Sequence, residues 1–189
     1  EKKMYPMDFE EFLLANSIGD SLIKYMKDCF NNRQSLEESI HNKIIYLFKL
    51  YLLIGGMPAA VKEYVQSKNI VKVREIHDDT IKYYGDDATK YDFEHKLKIK
   101  KIYDLVPSNI ENKVKRIQFK AIENIDDVRY THYVDEFDYL VSSGIVLGAN
   151  AISEPKFPLI QSSSKNLIKL YMNDIGLLTN LLYKNNVSA

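Results

Sequence analysis

Cysteine is nearly absent from this chain: one thiol, Cys29, occurs in 189 residues. That excludes an internal disulfide framework and a cysteine-rich metal site, and it fits a reducing compartment, so a cytoplasmic location is expected. Net charge is absent too, because 26 basic residues balance 26 acidic ones. No bulk charge draws the molecule to nucleic acid or to an anionic surface, so an electrostatic partner must be met by a local patch. Long apolar runs are also missing. The most membrane-like stretch, Ile44 to Ile54, is short and carries Lys49, whereas a helical span needs about 20 apolar residues. No membrane partner is expected. The first residues, Glu1-Lys2-Lys3-Met4-Tyr5-Pro6, do not open an apolar signal segment.

The seven glycines make no phosphate loop. None precedes a lysine, and no G-x-G-x-x-G occurs, so the backbone cradle of a P-loop or a dinucleotide fold is missing. Histidine is scarce as well. His41, His95 and His132 show no H-E-x-x-H spacing and are expected on the surface or in the core. His77-Asp78-Asp79, with Asp86-Asp87 nearby, is the densest group of metal-type ligands. Adjacent residues on a helix point in different directions and cannot converge on one ion, so a solvated helix face is expected there. Cys29, between Met26 and Phe30, is expected to be a small buried hydrophobe. Ser162-Ser163-Ser164 lacks a nucleophile-elbow pattern and is read as a loop. No catalytic, metal or cofactor residues are assigned.

What the chain does have is helical periodicity. Its 46% hydrophobic and 12% aromatic content is enough for a proper core. Phe9, Phe12 and Leu13 form one helical stripe, with Asp8 and Glu11 in capping-box spacing. A second helix starts at Gly19-Asp20. Ser35-x-x-Glu38 has the same capping signature and predicts the start of a third, with Ile40, Ile44, Leu47, Tyr51 and Ile54 along one face. Ile45, Leu52 and Leu53 occupy much of the opposite face, so this helix is expected to be surrounded by protein. Gly55-Gly56-Met57-Pro58 then reads as a corner: a glycine ends one helix and Pro58 opens the next. Asn69 caps a further helix, and the polar stretch Tyr83 to Phe93 is the expected domain boundary.

The second half predicts a basic helix from Lys96 to Val106 stopped by Pro107, short elements at 109–116 and 119–124, and a helix from Asp127 to Ser143 ended by Gly144. "IVLGANAI" (Ile145 to Ile152) and "FPLIQ" (Phe157 to Gln161) predict a two-stranded hairpin. Leu167 to Tyr171 and Asp174 to Tyr183 are expected to be mostly helical. The predicted fold is mainly α: a helical bundle over residues 1–88, then a winged helix-turn-helix with a small β-hairpin and C-terminal helices over residues 89–189.

Three phrases, "YPMDFEEFLL" (Tyr5 to Leu14), "YLLIGGMPAAV" (Tyr51 to Val61) and "LYMNDIGLL" (Leu170 to Leu178), occur in order at separations that resemble a known family. It is a large group of bacterial and archaeal AAA-superfamily ATPases with a C-terminal domain of unknown function. The resemblance implies a P-loop core upstream, a helical region with a Gly-Gly corner, a winged helix, and a region similar to restriction-type nucleases downstream. Neither the P-loop nor the nuclease-type residues occur in this chain, so it is expected to be the middle of a longer protein. The function implied is a non-catalytic interaction region coupling the ATPase core to a partner or to the nuclease-like domain. ATP and Mg belong to the parent protein, with no cofactor in this part.

The alternative is a DNA-binding winged helix. From Lys90 to Lys120 nine basic residues face four acidic ones, a local net of +5. Lys98, Lys101, Lys113, Lys115 and Arg116 are the candidate phosphate contacts. Against this, residues 121–145 hold six acids and one arginine, a net of −5. An acidic helix is a poor visitor to a phosphate-lined groove, although Arg129, Tyr130 and His132 near its start could touch bases.

Overall fold

Asp8 starts the first helix in the manner its spacing predicts. Its Oδ1 accepts from the Glu11 N–H at 2.9 Å, and Glu11 Oε2 accepts from the Asp8 N–H at 2.9 Å. In a computed structural model, which describes residues 4–87, 93–111, 122, 130–159 and 163–183, α1 (Phe9–Ala15) is followed by α2 (Asp20–Asn31) and α3 (Glu38–Ile54). The chain continues through α4 (Pro58–Ser67), α5 (Ile70–Asp87) and α6 (Phe93–Glu111). A 3-10 turn (Tyr130–His132), α7 (Val134–Ser142), strands β1 (Val146–Ile152) and β2 (Ser163–Met172), and α8 (Ile175–Tyr183) complete it. The fold is mainly helical with a small antiparallel hairpin.

The chain divides into two compact units. One comprises residues 1–80 and 174–189, the other residues 81–173. The expected contiguous split at residue 88 is therefore replaced by a discontinuous one, because the last helix packs on α3 and belongs to the first unit.

In the first unit, Phe12, Ile54, Ala60, Val61, Tyr64 and Val73 form one buried cluster, and Leu13, Ile18, Ile23, Ile44 and Leu47 form another. Burying each Val, Leu, Ile or Phe side chain among them contributes about 1.5–3 kcal/mol. Phe9 meets Phe48 edge-on at 5.1 Å, and Tyr51 lies 5.3 Å from Phe12. The Gly-Gly corner forms as its residues require. Gly55 ends α3 at φ 74° and ψ −167°, and Pro58 is the first residue of α4. The Tyr51 hydroxyl donates to Met7 O at 2.9 Å, and the Met7 N–H donates to Gly56 O at 2.8 Å. Asp174 closes the corner from the far end of the sequence. Its Oδ2 accepts from the Gly56 N–H at 2.7 Å, while Oδ1 accepts from the N–H groups of Gly176 (2.8 Å) and Leu177 (3.1 Å), capping α8. Gly176 lets α8 approach this closely: a Cβ there would lie 2.5 Å from Ile54 O.

Two expectations for α3 change. Its N-cap is Glu37, without a side-chain cap, so Ser35 does not make the predicted box. Its outer face is not covered, since Ile45, Phe48, Leu52 and Leu53 are each about two-fifths exposed.

In the second unit, Ile99, Ile102, Tyr103 and Val106 of α6 are buried, as are Phe137 and Leu140 of α7 and Leu170 and Met172 of β2. The helix predicted to stop at Pro107 runs on to Glu111. Proline removes one backbone bond and crowds the carbonyl four residues before it, and burial of the inner face offsets that cost. The predicted first strand is present, but its partner is β2, not Phe157 to Gln161. Val146 pairs with Met172 and Asn150 with Ile168, and the register shifts between Asn150 and Ala151. Leu167 to Tyr171 is therefore strand, not helix. Ile168, Leu170 and Met172 alternate along it, with Leu170 and Met172 buried, which is the two-residue period of a half-buried strand. The expected helix from Asp127 is a 3-10 turn at Tyr130–His132 and then α7; residues 127–129, 112–121 and 160–162 lie outside the described residues.

Candidate functional site

Helical spacing sorts α7 into two faces. Tyr133, Glu136, Phe137 and Leu140 point inward and are buried, whereas Asp135, Asp138 and Ser142 are exposed and Tyr139 is half-buried between them. On α6, His95 and Ile99 stand one turn apart. Between these helices lies a cavity of about 440 Å³, lined from α6 by His95 and Ile99 and from α7 by Asp135, Glu136, Asp138, Tyr139 and Ser142.

Its inner wall holds the one chemically pointed contact. Glu136, 2% exposed, presents Oε1 to His95 Nδ1 at 2.8 Å. A buried carboxylate needs such a partner, because removing it from water without one is costly. The imidazole supplies an N–H at Nδ1, and the bond strengthens when the ring is protonated. Asp135 and Asp138 add two further carboxylates at the mouth, while Ile99 and Tyr139 give apolar walls. Chemically, the cleft offers negative charge beside an apolar channel.

Sequence reasoning missed this site, since His95 and Glu136 are 41 residues apart. The available signal was an acid at the inward helical position among Tyr133, Phe137 and Leu140.

The predicted phosphate contacts are only partly placed. Lys101 is exposed on α6, and Lys98, three residues before it, is half-buried. Lys113, Lys115 and Arg116 lie outside the described residues, as does Arg129. Lys100, on the same helix, is paired with Asp104 at 2.9 Å. His41 and His132 are exposed, and Cys29 is buried as expected. Among the described residues, no three His, Cys, Asp or Glu side chains are placed to hold a metal ion, and no helix is long and apolar enough to cross a membrane.

His77 departs from its expected place on a solvated face. It is 1% exposed in the first unit, with Nε2 2.9 Å from Ile54 O, while Nδ1 has no partner among the described residues. Asp78 instead accepts from Asn180 Nδ2 at 2.8 Å. The helix-face argument correctly separates His77 from Asp78 and Asp79, but the tertiary core covers the His77 side. Burial pushes the imidazole below its ordinary 6.5, against opposing pulls from the Ile54 carbonyl, Asp174 and Asp78. The unfolded chain therefore takes up this proton first. Its contribution to stability is complete above about pH 6.5 and is lost as pH falls from there through the folded value. Urea unfolding should show the wild type losing more stability between about pH 7.5 and about pH 5.5 than His77→Gln, whose amide keeps the bond to Ile54 O without titrating.

A family model described as a domain of unknown function, DUF8612, matches residues 45–188. It spans the Gly-Gly corner, the cleft and Asp174, and begins within α3. No curated protein and no solved structure matches the chain.

Proposed function

We propose a function for a chain that belongs to the DUF8612 family: it is a non-catalytic interaction region of a longer AAA-type ATPase, passing nucleotide-driven motion to a partner or to a nuclease-like domain. One observation carries the reading. The three segments resembling those ATPases meet in a single hydrogen-bonded knot, Met7 to Gly56 and Gly56 to Asp174. Phrases 118 residues apart in sequence are thus one structural device, which supports taking them as one signature. The order helix, helix, antiparallel hairpin in α6, α7, β1 and β2 supports a winged-helix docking module for the second unit.

The DNA-binding alternative is favoured by Lys101, exposed on α6. It is opposed by α7, the helix that would enter the groove, which carries exposed Asp135 and Asp138. Duplex DNA titrated at about 50 mM and about 200 mM salt separates the two readings, since binding through several phosphates weakens by orders of magnitude across that range. We expect no binding at the lower salt. Salt-sensitive binding reduced by Lys101→Ala would favour the DNA reading.

The interaction reading is tested with the ATPase core encoded in the same reading frame, ATP and Mg being ligands of that core. Titrating this chain against it should give an affinity differing by about tenfold, or 1.4 kcal/mol, between ATP-analogue-bound and ADP-bound forms. Equal affinity in both states, or a reading frame without a P-loop, overturns it.

A further inference from the structure

We propose that the cleft between α6 and α7 binds a primary alkylammonium group, with the ammonium between Glu136 and the mouth carboxylates and its aliphatic stem along Ile99 and Tyr139. The inference stands apart from the interaction reading above.

Four observations carry it. The cavity, about 440 Å³, lies in the range that holds small organic ligands. Glu136 is almost wholly buried and lines the cavity, and among the described residues its hydrogen bond is the one to His95, through Oε1. A carboxylate accepts through both oxygens, so one that lines a cavity can take a further donor there through the oxygen His95 does not hold. Asp135 and Asp138 are exposed at the mouth, where two further carboxylates add to the negative charge of the cleft. Finally, Tyr139 lines the same space, and an aromatic side chain can attract a cation as well as a methylene stem.

The head group follows from Glu136. His95 already occupies one lone pair of Oε1, so a guanidinium fork would have to share that oxygen with the imidazole. An ammonium is a compact charge with three donors that can reach separate acceptors, so it suits Glu136 together with a second carboxylate. Two sources share this chemistry, a free alkylamine and a lysine side chain.

The test is an NMR titration of the intact chain at low salt with n-pentylammonium, Nα-acetyl-lysine methylamide and n-butylguanidinium. We expect saturable shifts at His95, Ile99 and Tyr139 with one or both ammonium probes and weaker binding of the guanidinium. Preference for pentylammonium identifies a free amine as the source, and preference for the lysine derivative a protein side chain. Glu136→Gln should weaken the ammonium probe by about tenfold or more. Because that change touches the core, Asp138→Asn at the exposed mouth is the second variant, with a loss of about threefold expected for a partly screened charge. Three results overturn the assignment: no saturable binding by either ammonium probe, unchanged affinity in Asp138→Asn, or tighter binding of the guanidinium.

Discussion

Asp174→Ala is expected to lower the unfolding free energy by about 4 kcal/mol, a loss large enough to unfold a marginal domain. The carboxylate accepts three backbone N–H groups, from Gly56, Gly176 and Leu177. Hydrogen bonds to a charged acceptor contribute about 1.5–3 kcal/mol each, and orphaned buried donors add a desolvation cost, although the terms do not sum fully. Both ends of the device fail together: α8 loses its cap, and the Gly56 N–H loses the acceptor that holds the corner. Asp174→Asn should fall between wild type and alanine, because one oxygen remains while the new NH2 faces a donor. Urea denaturation followed by helical circular dichroism checks the order. An alanine variant within about 1 kcal/mol of wild type would mean that the knot does not hold this unit together.

The second large effect is expected at Gly55→Ala. Gly55 adopts φ 74° with ψ −167°, a region open essentially to glycine, where another residue costs about 1–3 kcal/mol. A Cβ there would also overlap the Asp174 carboxylate, so the substitution strains the backbone and displaces the acceptor just described. A total of about 3 kcal/mol or more is expected. Gly144→Ala is the internal comparison. Gly144 has φ 75°, but a Cβ there meets nothing within 4 Å, so the backbone cost of about 1–2 kcal/mol should stand alone. Equal losses in the two variants would remove the steric argument. Coupling can be measured directly: in the double variant with Asp174→Ala, the Gly55 penalty should shrink, because the atom it collides with is gone.

Part of this architecture is legible in the sequence alone. The Asp8–Glu11 cap, the Gly55 corner with Pro58 opening α4, the buried Cys29 and the first strand of the hairpin all follow from residues within a few positions of one another. Hydrogen-bond stereochemistry and forbidden backbone angles act over one turn, so their signature is local. The failures share the opposite cause. Pro107 lies within α6 because the buried side of that helix outweighs one missing N–H, and β2 takes residues 163–172 because they pair with β1. His77 is buried because the tertiary core covers a face that its acidic neighbours make look wet.

The candidate site sits wholly on that second side. Glu136 was visible as an acid and His95 as a lone histidine, but their contact spans 41 residues and exists only once α6 and α7 are packed. Composition and short-range pattern established a mainly helical chain, the Asp8 cap, the Gly55 corner and the first strand of the hairpin. Folding in three dimensions alone decided the return of α8 to the first unit, the Asp174 knot and the acidic cleft. Burial and charge pairing depend on which distant surfaces meet, and no periodicity along a chain encodes that meeting.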